Sequence, residues 1–199
     1  KGSEVITKEK KGFYYNHLSS EKLYREIIWL QKNSKNIKIL FNQNISSIKE
    51  HHKFVEIRSN EQVFHGELLF DSRPPRIEEG KLVQHFYGIE LKSSKSVFDK
   101  KEVILMDFIK KNNGIHFFYI LPFSENEALI ETTYFSKEIY DNKKYINDIN
   151  CYLNEKFKGI RFTKVSNENG VIPMYDVINN NKSKRVIKIG TSNNWVKKS

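Results

Sequence analysis

The feature that most limits how this chain can fold is a succession of strand-length β-type runs with almost no helical spacing between them. Such runs fall at residues 37–41, 45–49, 54–58, 63–70, 84–91, 103–109, 115–123 and 128–135, separated by Asn, His-His and Ser-Asn-Glu turn material. Only 19–32 and 143–157 carry apolar side chains at helical intervals: Leu23, Ile27 and Leu30 in the first, Tyr145, Ile149 and Tyr152 in the second. Ser19 or Ser20 caps the first helix and Gly159 closes the second. Further β-type runs lie at 161–165, 171–174 and 185–189, with a turn at Asn167-Glu168-Asn169-Gly170 and a polar loop at 179–183. This order predicts a mixed α/β (α+β) fold in which one sheet is interrupted by an inserted antiparallel domain near 76–176. Residues 1–75 and 177–199 then form the first domain and its return strand.

Composition narrows the function classes. Hydrophobic residues at 38% and aromatics at 13% of 199 residues supply a core, so the chain is not a disordered tail. The longest apolar runs, 117–123 and 103–108, are strand-sized and far short of the roughly 20 residues of a membrane-spanning helix. A single cysteine, Cys151, excludes an internal disulfide or a cysteine-based zinc site and fits a reducing compartment. The net charge of +10 comes from lysines scattered between strands, without a nucleic-acid signature, so no nucleic-acid partner is expected. An anionic membrane face suits that charge better; a non-catalytic basic module for anionic surfaces is the non-enzymatic alternative. The six histidines have no metal spacing, and the 199 residues hold neither a Gly-x-Ser-x-Gly elbow nor a glycine-rich phosphate fingerprint. The sequence begins at Lys1 without Met and closes on Lys-Lys-Ser, which points to a piece of a longer protein.

Three acids beside apolar strands invite acid–base work. Glu131 lies mid-strand in Ala-Leu-Ile-Glu-Thr-Thr-Tyr-Phe. A four-residue loop at 124–127 makes 115–123 and 128–135 a hairpin in which Phe123 pairs with Ala128, placing Glu131 opposite Ile120 and beside Phe118 and Pro122. Hydrocarbon there raises a carboxyl pKa and keeps its proton near neutral pH. If instead that face meets solvent, Glu131 is an ordinary exposed residue. Asp107 ends a strand and Glu168 solvates a turn in their plainest readings; acid–base roles are the alternative.

Several stretches, in order, resemble the lycopene beta-cyclase family: Phe-Asp-Ser-Arg-Pro at 70–74, Gln-His-Phe-Tyr-Gly-Ile-Glu at 84–90, Val-Phe-Asp at 97–99, Leu-Met-Asp-Phe at 105–108, and Phe-Tyr-Ile-Leu-Pro-Phe at 118–123. Ala-Leu-Ile-Glu-Thr-Thr at 128–133, Glu-Asn-Gly-Val-Ile-Pro-Met at 168–174 and Lys-Ile-Gly at 188–190 continue the match. The resemblance implies a partial glutathione-reductase-like FAD/NAD(P)-binding fold with an inserted antiparallel substrate sheet. It implies FAD and NAD(P)H as cofactors, and lycopene as substrate, its ψ-ends closed into β-ionone rings without net redox change. Glu131 is carried over as the catalytic acid, with Glu168 and Asp107 as further candidates; Asp71, Ser72, Arg73 and Gly190 are carried over as flavin-contacting positions. A cytoplasmic enzyme peripheral to the inner membrane follows from the lipid-dwelling substrate. An FAD-dependent monooxygenase or reductase of the same architecture, acting on an isoprenoid or polycyclic substrate, is the rival reading.

Overall fold

A computed structural model describes residues 15–60, 62–110, 114–178 and 183–196. Among these, one compact unit comprises 74–178 and 190–196, and the other 15–73 and 183–189. Most of the expected 179–183 loop and the final Lys-Lys-Ser lie outside the described residues.

The larger unit is built on a five-stranded antiparallel sheet. Its strands are β5 (Val83–Ser93), β6 (Ile104–Phe108), β7 (Ile115–Pro122), β8 (Glu127–Ser136) and β9 (Phe162–Pro173), in the order β6-β7-β8-β5-β9. The expected β7–β8 hairpin forms, but its register differs from expectation by one residue. Phe123 closes the turn by donating its N–H to the Glu127 carbonyl at 2.8 Å, so Pro122, not Phe123, pairs with Ala128. Glu131 therefore stands opposite Tyr119, and Ile120 opposite Ile130. A one-residue slip moves β7 side chains to the other face.

The second correction concerns 167–170, which is no turn. Asn167 to Gly170 continue the single strand β9, paired residue for residue with Ile89 to Phe86 of β5. Local turn propensity yields here to an 11-residue partner strand and to Phe86, whose ring covers Gly170 closely enough that an added Cβ would stand 2.6 Å from it. The irregularity falls earlier, as a bulge-like register shift between the pairs of Glu90 and Leu91.

One face of the sheet packs on α2 (Asn142–Lys156), capped by Asp141, whose side chain accepts from the Lys144 N–H at 2.9 Å. Its stripe Tyr145, Ile149, Tyr152 and Leu153 is buried against Tyr87, Ile89, Phe118, Ile120, Ile130 and Tyr134. Aromatic stacking organises this layer: Phe118 lies 4.0 Å from Tyr152 and His116 3.9 Å from Tyr134, centroid to centroid.

In the smaller unit, β1 (Ile45–Glu50), β2 (Val55–Ser59) and β3 (Gln62–Gly66) form the expected meander. The expected 63–70 strand breaks after Gly66 and resumes as β4 (Leu69–Asp71), which pairs in parallel with β10 (Val186–Lys188). Residues 37–41 form no strand; Asn42 follows them at φ 57°. The helix α1 (Ser20–Asn33) buries none of its residues. No helix among the described residues is long and apolar enough to cross a membrane.

Candidate active site

Strand alternation divides the acids between the two faces of the five-stranded sheet. Ile130, Thr132 and Tyr134 of β8 are buried, with Ile130 and Tyr134 in the layer under α2, so Glu131 points to the opposite face with Leu129, Thr133 and Phe135. Across the ladder, Tyr119 of β7 and Gly88 of β5 flank Glu131 directly, and Glu168 of β9 lies beyond Gly88. The row Tyr119–Glu131–Gly88–Glu168 thus crosses four strands. Phe117 and Leu121 are its diagonal neighbours on β7, 2% and 9% exposed. The hydrocarbon setting expected for Glu131 is present although the expected neighbours were the wrong ones, because β7 is apolar on both faces.

Burial pushes the half-buried Glu131 carboxyl up to about 7. The Thr133 hydroxyl, donating to Oε1 at 2.7 Å, works the other way, and the negative charge of Glu168 adds to the rise. Among the described residues no cation pairs with Glu131. The result is a carboxyl group that shifts from protonated to ionised around neutral pH, on a face lined by Phe117, Tyr119, Leu129 and Phe135.

Asp107 does not join this pair. It stands opposite Phe118, hence on the α2 face, where Tyr152 donates to it at 2.6 Å and Lys156 at 2.9 Å. Partial burial works to raise its pKa, but these two bonds and the lysine charge outweigh it and hold the carboxyl below its ordinary range. Of the aromatic rings near Glu131 in sequence, Phe117 and Tyr119 share its face, whereas Phe118 and Tyr134 belong to the core beneath α2.

Asp71 and Arg73 come together at the carboxyl end of β4. Asp71, 4% exposed, accepts from the Arg73 guanidinium at 2.9 and 2.8 Å, from the Arg73 N–H at 3.1 Å and from Lys188 at 2.5 Å. Arg73 above all, then Lys188, holds its carboxyl far below the usual carboxylate range. Ser72 is exposed between them. Gly190, at φ 67°, opens the 3-10 turn Gly190–Asn193 soon after β10; a Cβ there would touch nothing within 4 Å, so glycine answers to backbone conformation alone. No cluster of metal-ligating side chains occurs among the described residues.

Gly88 was overlooked in the sequence. A lone glycine inside a strand marks a close approach of neighbours, and here those neighbours are Leu129 and Glu168.

Comparison with known proteins gives three findings. No curated protein matches the sequence. Among solved structures, the chain resembles a geranylgeranyl bacteriochlorophyll reductase-like protein from Thermoplasma acidophilum at 8% identity and TM-score 0.58, covering 78% of this chain and 43% of that one. It also resembles the halogenase PltM, solved in complex with phloroglucinol and FAD, at 11% identity and TM-score 0.54, covering 87% of this chain and 40% of that one. The chain therefore spans about two fifths of the length of these structures, and at such identities the likeness shows a shared fold alone. The sequence profile described as "Lycopene cyclase protein" matches residues 3–199. With that match over nearly its whole length, the chain belongs to the lycopene cyclase family.

Proposed function

We propose that the protein is a flavin-dependent lycopene cyclase in which Glu131 delivers the proton that starts ring closure. The observation that carries this reading is a half-buried carboxyl group on an apolar, aromatic sheet face, pushed up to about 7 by burial and with no cation beside it among the described residues. Protonating an isolated alkene requires an acid freed from water, and the tertiary cation so formed must be kept from water until the neighbouring double bond closes on it. Loss of a proton from the ring then gives an isomer, with nothing oxidised or reduced. Tyr119 and Phe135, both partly exposed on this side of the sheet, carry π-systems worth about 0.5–2 kcal/mol each to a nearby cation.

FAD is part of the proposal. The carboxyl ends of a parallel strand pair are where such folds hold nucleotides, and at the end of β4 two cations, Arg73 and Lys188, surround the single carboxylate of Asp71. The positive charge left over suits an anionic dinucleotide, so Asp71, Ser72 and Arg73 fit the group, with Asp71 as the anchor for the two cations. A bound reduced flavin supplies an electron-rich ring that favours developing positive charge; NAD(P)H is its proposed reductant. Exposed Leu105, Met106, Phe108 and Ile115 at the β6 edge of the sheet support access to lycopene from a membrane surface on the cytoplasmic side.

The test is expression of the complete reading frame, with and without Glu131→Gln, in cells that accumulate lycopene, followed by pigment analysis. Cyclised product of unchanged mass from the unsubstituted protein only is the expected result. A product heavier by one oxygen would instead establish the monooxygenase reading. Failure of the complete protein to sediment with anionic liposomes would remove the membrane part.

A further inference from the structure

Gly88 stands between Glu131 and Glu168 on the ladder, and its missing side chain leaves room that the Glu168 side chain occupies. It pairs with Glu131 on one side and Glu168 on the other, so all three side-chain positions point to one face of the sheet. Two strand spacings, about 9.6 Å, separate the backbones of the acids, and any residue larger than glycine fills the interval. A Cβ on Gly88 would stand 3.1 Å from Glu168 Cγ and 3.4 Å from its Oε1, with Leu129 Cδ1 at 3.0 Å. Glu168 is thus folded inward across β5 instead of extending away from the sheet edge. Gly88 is absent from the glycines with positive φ, so the chain uses its lack of a side chain, not its backbone freedom.

We propose that Gly88 is a positioning residue that lets Glu131 and Glu168 act as a pair holding one proton between them. The proposal rests on Glu131 being the acid. The proton that Glu131 gives to the alkene is then matched by the one leaving the closed ring, which returns to the pair through Glu131 or Glu168. One C–H bond forms and one breaks in each closure, and the protein ends with the protons it began with. Glu168, exposed on β9, is the member open to water. The other titratable groups on this face of the neighbouring strands are Tyr119 on β7 and Glu90 and Lys92 on β5, Glu90 accepting from Ser166 at 2.8 Å and Lys92 paired at 3.2 Å with Glu127 of β8.

The test uses the complete protein and needs no turnover. Thermal unfolding across pH, compared with and without Glu131→Gln in each background, reads the midpoint at which Glu131 titrates. Glu168→Gln should lower that midpoint by about half a pH unit, since it removes a like charge. Gly88→Ala should lower it similarly by pushing Glu168 aside, and should add no further fall once Glu168→Gln is present. An equal fall from Gly88→Ala in both backgrounds, or an unmoved midpoint in Glu168→Gln, overturns the pair. Should Gly88→Ala not fold, Glu168→Gln alone still decides. Absence of cyclised pigment from the unsubstituted protein would remove the lycopene reading and leave the pair standing; an unmoved midpoint in an active protein would do the reverse.

Discussion

The two faces of the five-stranded sheet treat their polar groups in opposite ways. Beneath α2, Asp107 is met by Tyr152 and Lys156, and Asp148 by Tyr134 and Lys144. His85 lies between Tyr145 and Ser136, at 2.6 and 2.8 Å from its two ring nitrogens. On the other face Glu131 has one hydroxyl donor and a second acid for company. Buried polar groups that are satisfied fix a core; a buried acid without a counter-charge is costly. The faces therefore respond differently to substitution.

Glu131→Gln should produce the largest effect, a loss of about 10²- to 10⁴-fold in cyclisation, the usual contribution of a positioned general acid, measured as pigment formed per mole of enzyme. Its effect on stability has the opposite sign. Because Glu131 keeps its proton up to about 7 in the fold but only to an ordinary value when unfolded, the folded state loses stability as pH rises through that window. Glu131→Gln should thus be more stable above pH 7, by about 3 kcal/mol, and equal to the parent near pH 4, as read by denaturant unfolding.

On the helix face the signs reverse. Burial holds the His85 imidazole down to about 4, so the fold keeps it neutral while the unfolded chain takes up a proton. Stability should be full above pH 6.5 and fall as pH drops toward 4, and His85→Leu should flatten that fall while costing about 2 kcal/mol at neutral pH by removing the partner at Nδ1 from the buried Tyr145 hydroxyl. Asp107→Ala should be mildest, about 1 kcal/mol because the pair with Lys156 is partly exposed, with the pigment product unchanged. Its contribution should be present above the ordinary aspartate pKa and disappear in acid as pH falls through its lowered value. Abolition of cyclisation by Asp107→Ala in a folded protein would break the contrast between the faces.

Much of this was legible in the sequence, and the exceptions have particular causes. The helices, the β7–β8 hairpin and the apolar setting of Glu131 follow from periodicity and from an acid in an apolar run. The partners of Glu131 do not, because the ladder's ending at Pro122–Ala128 rests on the Phe123 turn bond, which propensity does not reveal. Glu168 looked like part of a turn because Asn-Glu-Asn-Gly is strong turn material; only the length of β5 and the ring of Phe86 make it strand. Asp107 was grouped with Glu131 since sequence spacing within one strand says nothing about faces shared with strands elsewhere.

Among the described residues, strand β9 is outermost in its sheet, so hydrogen-bonded neighbours hold it along one border alone. Such borders invite pairing with other chains, and this one is guarded: Lys164, Asn167 and Asn169 stand exposed along it, and its ladder is interrupted beside Ser166. A hem so constructed resists stitching to a second molecule. In hydrogen exchange, its outward-pointing amides should therefore be lost within the fastest class while those of β5 persist.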